Sequence, residues 1–118
     1  MNKQLKGFDV SVIIPINNVS KYMPLLLKSI ENQTVLPKEI VIVDSCLDSD
    51  AALIIKNMNV RIPLIHKKID LVYPGGARNI GVEIAKSEWI AFLDSTTVPE
   101  HDWLERCVEM AIEKKADY

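Results

Sequence analysis

The chain has 118 residues, 48% of them hydrophobic and 25% charged, with a formal net charge of −2 at pH 7. That size makes one domain, able to bury roughly two thirds of its unfolded surface. The charge offers no basic field to nucleic acid, no apolar run approaches the ~20 residues of a membrane span, and the opening MNKQLKGFD lacks the apolar stretch of a signal peptide.

Short apolar runs alternate with helical patterns, the mark of βαβ units around a parallel sheet. Phe8 to Ile16 (FDVSVIIPI) reads as a buried strand whose ladder Pro15 must stop. After the Asn17-Asn18 turn, Ser20 is the expected N-cap of a helix to about Asn32, with Leu26, Leu27 and Ile30 facing the sheet. Glu39 to Val43 is a second strand, β-branched and short, ending at Asp44. The polar loop from Ser45 to Asp50 supplies a cap, Ser49 or Asp50, for a helix from Ala51 to Met58. Arg61 to His66 is a third strand, and Pro63 suits it to a sheet edge. Lys67-Lys68 reads as a solvated turn.

Gly75-Gly76 opens a helix from about Ala77 to Lys86. Ala77, Ile80, Gly81, Ile84 and Ala85 recur every three or four residues, and the small ones allow close approach to a sheet. Trp89 to Leu93 is the fourth strand and Asp94 to Pro99 its strand-end loop. A last helix runs from Glu100 to about Lys115, with Trp103, Leu104, Cys107, Val108, Ala111 and Ile112 as its buried stripe. Its acidic start and basic end suit the helix dipole.

The expected class is α/β: a Rossmann-like, open, mainly parallel sheet with helices on both faces, residues 1–118 forming a single domain. The C-terminal strand ends then share one rim, carrying Pro15-Ile16-Asn17, Asp44-Ser45 and Asp94-Ser95-Thr96. Ligands of open α/β sheets bind at such a rim. Arg78, in the first turn of its helix, opposes the dipole unless an anion is bound there. Asp44 and Asp94 each end an apolar strand, where a carboxylate accepts from a base or ribose or holds a divalent cation; the plainer alternative is a turn aspartate. His66 reads as a strand-end or packing residue and His101 as solvent-facing; neither pairs with a serine. Two cysteines make neither a disulfide framework nor a zinc site. Cys107 belongs to the core, and a reduced, cytoplasmic compartment fits.

Taken in order, VSVIIPINN, EIVIVDS, GGARNIGVEIAKSEWIAFLD and VPEHDWLE resemble the N-terminal half of a family 2 glycosyltransferase, from about Val10 to Glu105. The resemblance implies a GT-A fold and an inverting, nucleotide-sugar-dependent reaction with a saccharide or lipid-linked acceptor. It places Pro15 and Asn17 against the nucleoside. Asp44 matches the first acid of the VDD or VDS motif, with Ser45 in the slot that often holds the base-contacting acid. Arg78 matches the arginine near the donor diphosphate. Asp94, Ser95 and Thr96 match the metal-binding DxD signature, with a threonine replacing the third-position acid. Asp94 is thus the implied ligand for Mg²⁺ or Mn²⁺, weakened by a neutral neighbour.

The family's general base and acceptor elements lie beyond the DxD, so no catalytic residue is assigned. The expectation is a donor-binding portion of a longer enzyme, at work in the cytoplasm or at the inner face of a membrane. Its bare sheet edge would invite a second copy to pair. The alternative is a nucleotide-binding or assembly module that kept the fold and lost the chemistry. A sugar-phosphate nucleotidyltransferase is disfavoured, because no Gly-rich basic loop follows the first strand.

Overall fold

The computed structural model describes residues 9–18, 21–70 and 76–116, without side chains for the last two. Ser20, the expected cap of the first helix, and Gly75 lie outside these residues. The elements alternate: β1 (Val10–Ile16), α1 (Met23–Glu31), β2 (Glu39–Asp44), α2 (Asp50–Met58), β3 (Leu64–Lys68), α3 (Gly76–Ile84), β4 (Trp89–Phe92) and α4 (Trp103–Ala116).

The four strands pair in parallel in the order β3-β2-β1-β4. From β1 to β3 the chain steps outward in one direction; it then crosses to the far side of β1 for β4. Crossovers keep one hand, so reversing the direction moves the connecting helix to the other face. Accordingly α1 and α2 pack with α4 on one face, while α3 covers the opposite one. Alternation along the strands feeds both layers. Val12, Ile14, Ile40 and Ile42 face α1, whereas Ile13, Val41 and Val43 face α3. All six residues of β2 are buried, as expected of a strand covered on both faces.

Gly81 is where α3 meets the sheet. A Cβ placed there would lie 2.5 Å from Ile13 Cγ2 and 3.3 Å from Val43 Cγ2. The small-residue pattern of this helix therefore serves close packing.

Pro15 stops one ladder, not the strand. The Ile13 carbonyl accepts from the Leu93 N–H on the β4 side. Pro15 lies two residues on, facing the same way, and has no N–H to continue that pairing. On the β2 side the register runs through Ile16↔Asp44.

Three local expectations need correction. The third strand begins after Pro63 and runs to Lys68, in register with Asp44, so Lys67-Lys68 is strand and not turn. The first helix begins at Met23, with Pro24 in its first turn, the position that a missing N–H and fixed φ favour. The last helix begins at Trp103, and Ile112 is nearly half exposed instead of buried.

Gln33 explains the late start of α4. Buried just past α1, its amide NH₂ donates to the Ser29 and Glu100 carbonyls at 3.2 and 2.7 Å, and its Oε1 accepts from the Leu104 N–H at 3.0 Å. One side chain thus joins two helix ends. At the opposite rim from the strand ends, buried Glu39 accepts from the Ser11 hydroxyl and the Lys86 N–H, both at 2.6 Å. Nearby, Glu31 accepts from the Arg61 N–H and Nε at 3.1 and 3.2 Å. Among the described residues no helix is long and apolar enough to cross a membrane.

Candidate functional site

Parallel pairing brings the ends of β1, β2 and β4 to one rim. Ser45 fastens the first two: its N–H and hydroxyl both donate to the Ile16 carbonyl, at 2.9 and 3.0 Å. Pro15 is half-buried beside this junction and Asn17 is exposed just beyond it.

Asp44 is fully buried, and its carboxylate is occupied from within. Oδ1 accepts from the Cys46 N–H at 2.8 Å, and Oδ2 lies 2.7 Å from His66 Nε2. The Lys68 ammonium approaches Oδ1 to 3.6 Å. Burial alone would raise the carboxyl, but the bonds from His66 and Cys46 and the Lys68 charge outweigh it and hold the group below the usual range. Asp44 therefore braces the wall of the rim and does not present oxygen to solvent. His66, read as a strand-end packing residue, is its main partner. The pairing comes from the sheet: β2 and β3 run in parallel with Ile42↔His66 in register, which sets His66 beside the end of β2.

Between the ends of β2 and β3 opens a cleft of about 530 Å³, lined by Ser45, Cys46, Leu47, Lys67, Lys68, Ile69 and Asp70. Cys46 is buried next to the Asp44 carboxylate, and desolvation with that charge pushes its thiol up to about 11. It stays protonated and unreactive at neutral pH.

At the β4 end, Asp94 is exposed and forms a tight turn. Its Oδ1 accepts from the Thr96 N–H at 2.9 Å and the Thr96 hydroxyl at 2.8 Å. These two bonds, aided by the Arg78 charge, hold the Asp94 carboxyl below its ordinary range against slight desolvation. Its Oδ2 carries no hydrogen bond among the described residues. Arg78 is exposed in the first turn of α3, its guanidinium 5.8 Å from the centre of the Phe92 ring. The aromatic face steadies the cation at the end of β4.

No group of three or more His, Cys, Asp or Glu gathers among the described residues. The donor set suits a hard cation only in part: one carboxylate with a free oxygen, beside a hydroxyl already spent on that carboxylate. Mg²⁺ is commonly held by one or two carboxylates together with substrate phosphates, so Asp94 fits as a single protein ligand completed by a diphosphate.

Rim, cleft and βαβ order together define an open, parallel α/β domain of Rossmann-like type. The glycosyl transferase family 2 profile matches residues 11–118, and the chain belongs to that family. It is 35% identical over 108 residues to an uncharacterized glycosyltransferase of Rickettsia bellii, covering 89% of this chain and 15% of that one. It is 34% identical to the succinoglycan biosynthesis protein ExoO of Rhizobium meliloti, covering 87% and 30%. Among solved structures, S. aureus TarS superposes with a TM-score of 0.73 at 28% identity, over 90% of this chain and 20% of that one. Its 1–349 portion has been solved with UDP and with UDP-GlcNAc. The sheet is thus the GT-A type, and the chain spans about a third or less of these relatives.

Proposed function

We propose that this chain is the donor-binding portion of an inverting glycosyltransferase and holds the nucleotide of a nucleotide-diphosphate sugar along the strand-end rim. The observation that carries this reading is the arrangement of the rim. A cleft lies beyond β2 and β3, while a cation (Arg78) and a carboxylate with a free oxygen (Asp94) lie at the end of β4. That span suits a nucleoside at one end and a diphosphate at the other. The UDP complexes of a structural relative support the nucleoside diphosphate as ligand.

In the proposed reaction an acceptor hydroxyl attacks the anomeric carbon from the side opposite the leaving diphosphate, inverting the configuration. The described residues supply binding and charge. Pro15, Asn17 and Ser45 bound the nucleoside region, and Asp44 keeps its wall in place. Arg78 and the helix start at Gly76 meet the negative charge that grows on the leaving diphosphate. Asp94 would hold Mg²⁺ or Mn²⁺, which when bound adds charge neutralisation at the same oxygens. The general base is assigned to no residue of this chain.

A second reading, a nucleotide-binding module without transfer activity, draws support from the single carboxylate at Asp94. Calorimetry with UDP, GDP and CDP, each with and without Mn²⁺, tests both. Nucleotide binding is expected. Heat with none of them would overturn the donor reading and the module reading alike. Binding unaffected by Mn²⁺ would favour the module.

A further inference from the structure

Lys68 lines the cleft and is half exposed, so it invites assignment as a phosphate ligand. Its hydrogen bonds point elsewhere. The ammonium donates to the backbone carbonyl of Cys46 and to that of Asp48, the latter at 2.7 Å. Asp44 Oδ1 lies 3.6 Å from the ammonium as an ion pair. An ammonium has three N–H donors and no more. Two of them are engaged by the loop after β2, and the Asp44 carboxylate draws the charge towards the strand end beneath it.

The two carbonyls gripped by Lys68 belong to the neighbours of Leu47. That residue is 96% exposed, and it also lines the cleft. From below, the clamp is supported by His66 at Asp44 Oδ2 and by the Ile69 N–H, which donates to the Asp44 carbonyl at 2.8 Å. The loop is therefore fixed by β3 on its inner side, while Leu47 stands free on its outer side.

We propose that Leu47 is the apolar contact for the nucleobase and that Lys68 is the positioning residue that presents it. This rests on the donor reading above and adds the residue that meets the base. Ligand clefts combine apolar walls with a few fixed polar groups, and a wall that is already rigid binds without paying to order itself. Lys68 in this role contributes to nucleoside affinity without touching phosphate.

The test is an NMR titration of the 118-residue chain and its variants with uridine and with UDP. Leu47→Ser, at a site exposed to solvent, is expected to weaken both ligands while leaving urea unfolding unchanged. Lys68→Gln is expected to weaken both by a common factor of about ten or more, the scale of lost support groups behind a binding residue. It should also speed amide exchange at Leu47 and Asp48. Lys68→Arg should recover part of the affinity, since a guanidinium still bridges two carbonyls.

A loss confined to UDP would identify Lys68 as a phosphate ligand and overturn its positioning role. Uridine affinity unchanged by Leu47→Ser would overturn the base contact, even if Lys68→Gln proved too unstable to study. A wild-type chain that binds neither ligand would instead remove the donor reading itself.

Discussion

His66 Nε2 and Asp44 Oδ2 lie 2.7 Å apart across adjacent parallel strands, and the carboxylate between them is sealed from solvent. This pair makes Asp44 a brace inside the rim. Removing the carboxylate leaves the Cys46 N–H without its acceptor, and a buried donor left unsatisfied costs about 1–3 kcal/mol. Asp44→Ala is therefore expected to lower the urea midpoint strongly at pH 7. An unchanged midpoint would show that the brace is dispensable.

The same carboxyl sets an acid limit. Asp44 is held below its ordinary value in the fold, despite burial, by His66, Cys46 and Lys68. The unfolded chain therefore binds its proton first. The stability contributed by Asp44 is complete above the unfolded carboxyl pKa of about 3.9 and is lost as pH falls through the lower folded value. Denaturant melts at pH 7, 5, 4 and 3 should show the gap between wild type and Asp44→Asn closing below about pH 4. Glu31, held down in the same sense by Arg61 and Lys28 against its burial, adds to this acid loss.

Gly81→Val tests the seat of α3. Any side chain there collides with Ile13 and then with Val43. Overpacking of this kind costs about 1–3 kcal/mol. The expected result is a lower thermal midpoint with the far-UV spectrum retained. Full stability would mean that α3 can lift from the sheet at no cost.

Gln33 holds α1 to the start of α4 through three hydrogen bonds to backbone groups. Gln33→Leu has nearly the same volume but leaves the buried Leu104 N–H without that acceptor. Leaving a buried donor unsatisfied costs about 1–3 kcal/mol. Amide exchange at Leu104 should speed up more than at Ile42 in β2, which separates local loosening from global unfolding.

Arg78 and Asp94 separate charge from metal. Arg78→Ala should weaken UDP by about tenfold, the scale of a lost charge-assisted bond, with or without Mn²⁺. Asp94→Asn should weaken UDP only when Mn²⁺ is present. If EDTA leaves wild-type affinity unchanged, Asp94 is not a metal ligand in this chain.

The order of elements was legible in the sequence, because buried parallel strands are written as apolar runs and sheet-facing helices as a 3.6-residue period. So were the parallel sheet, the edge position of β3, though Pro63 precedes that strand and does not interrupt it, and the close-packing role of Gly81. The family was legible as well, since its motifs lie at strand ends and helix starts whose spacing the fold imposes. The partners of those motifs were not. Nothing in the order of residues says that His66 and Lys68 converge on Asp44, or that Gln33 caps a helix seventy residues away. These links depend on which strands become neighbours and in what register. Asp44 shows the difference best: as a residue type at a strand end it resembles a ligand-binding acid, but its surroundings enclose it. Burial and pairing are properties of the assembled sheet, and they determine whether a carboxylate meets solvent or supports the residues that do.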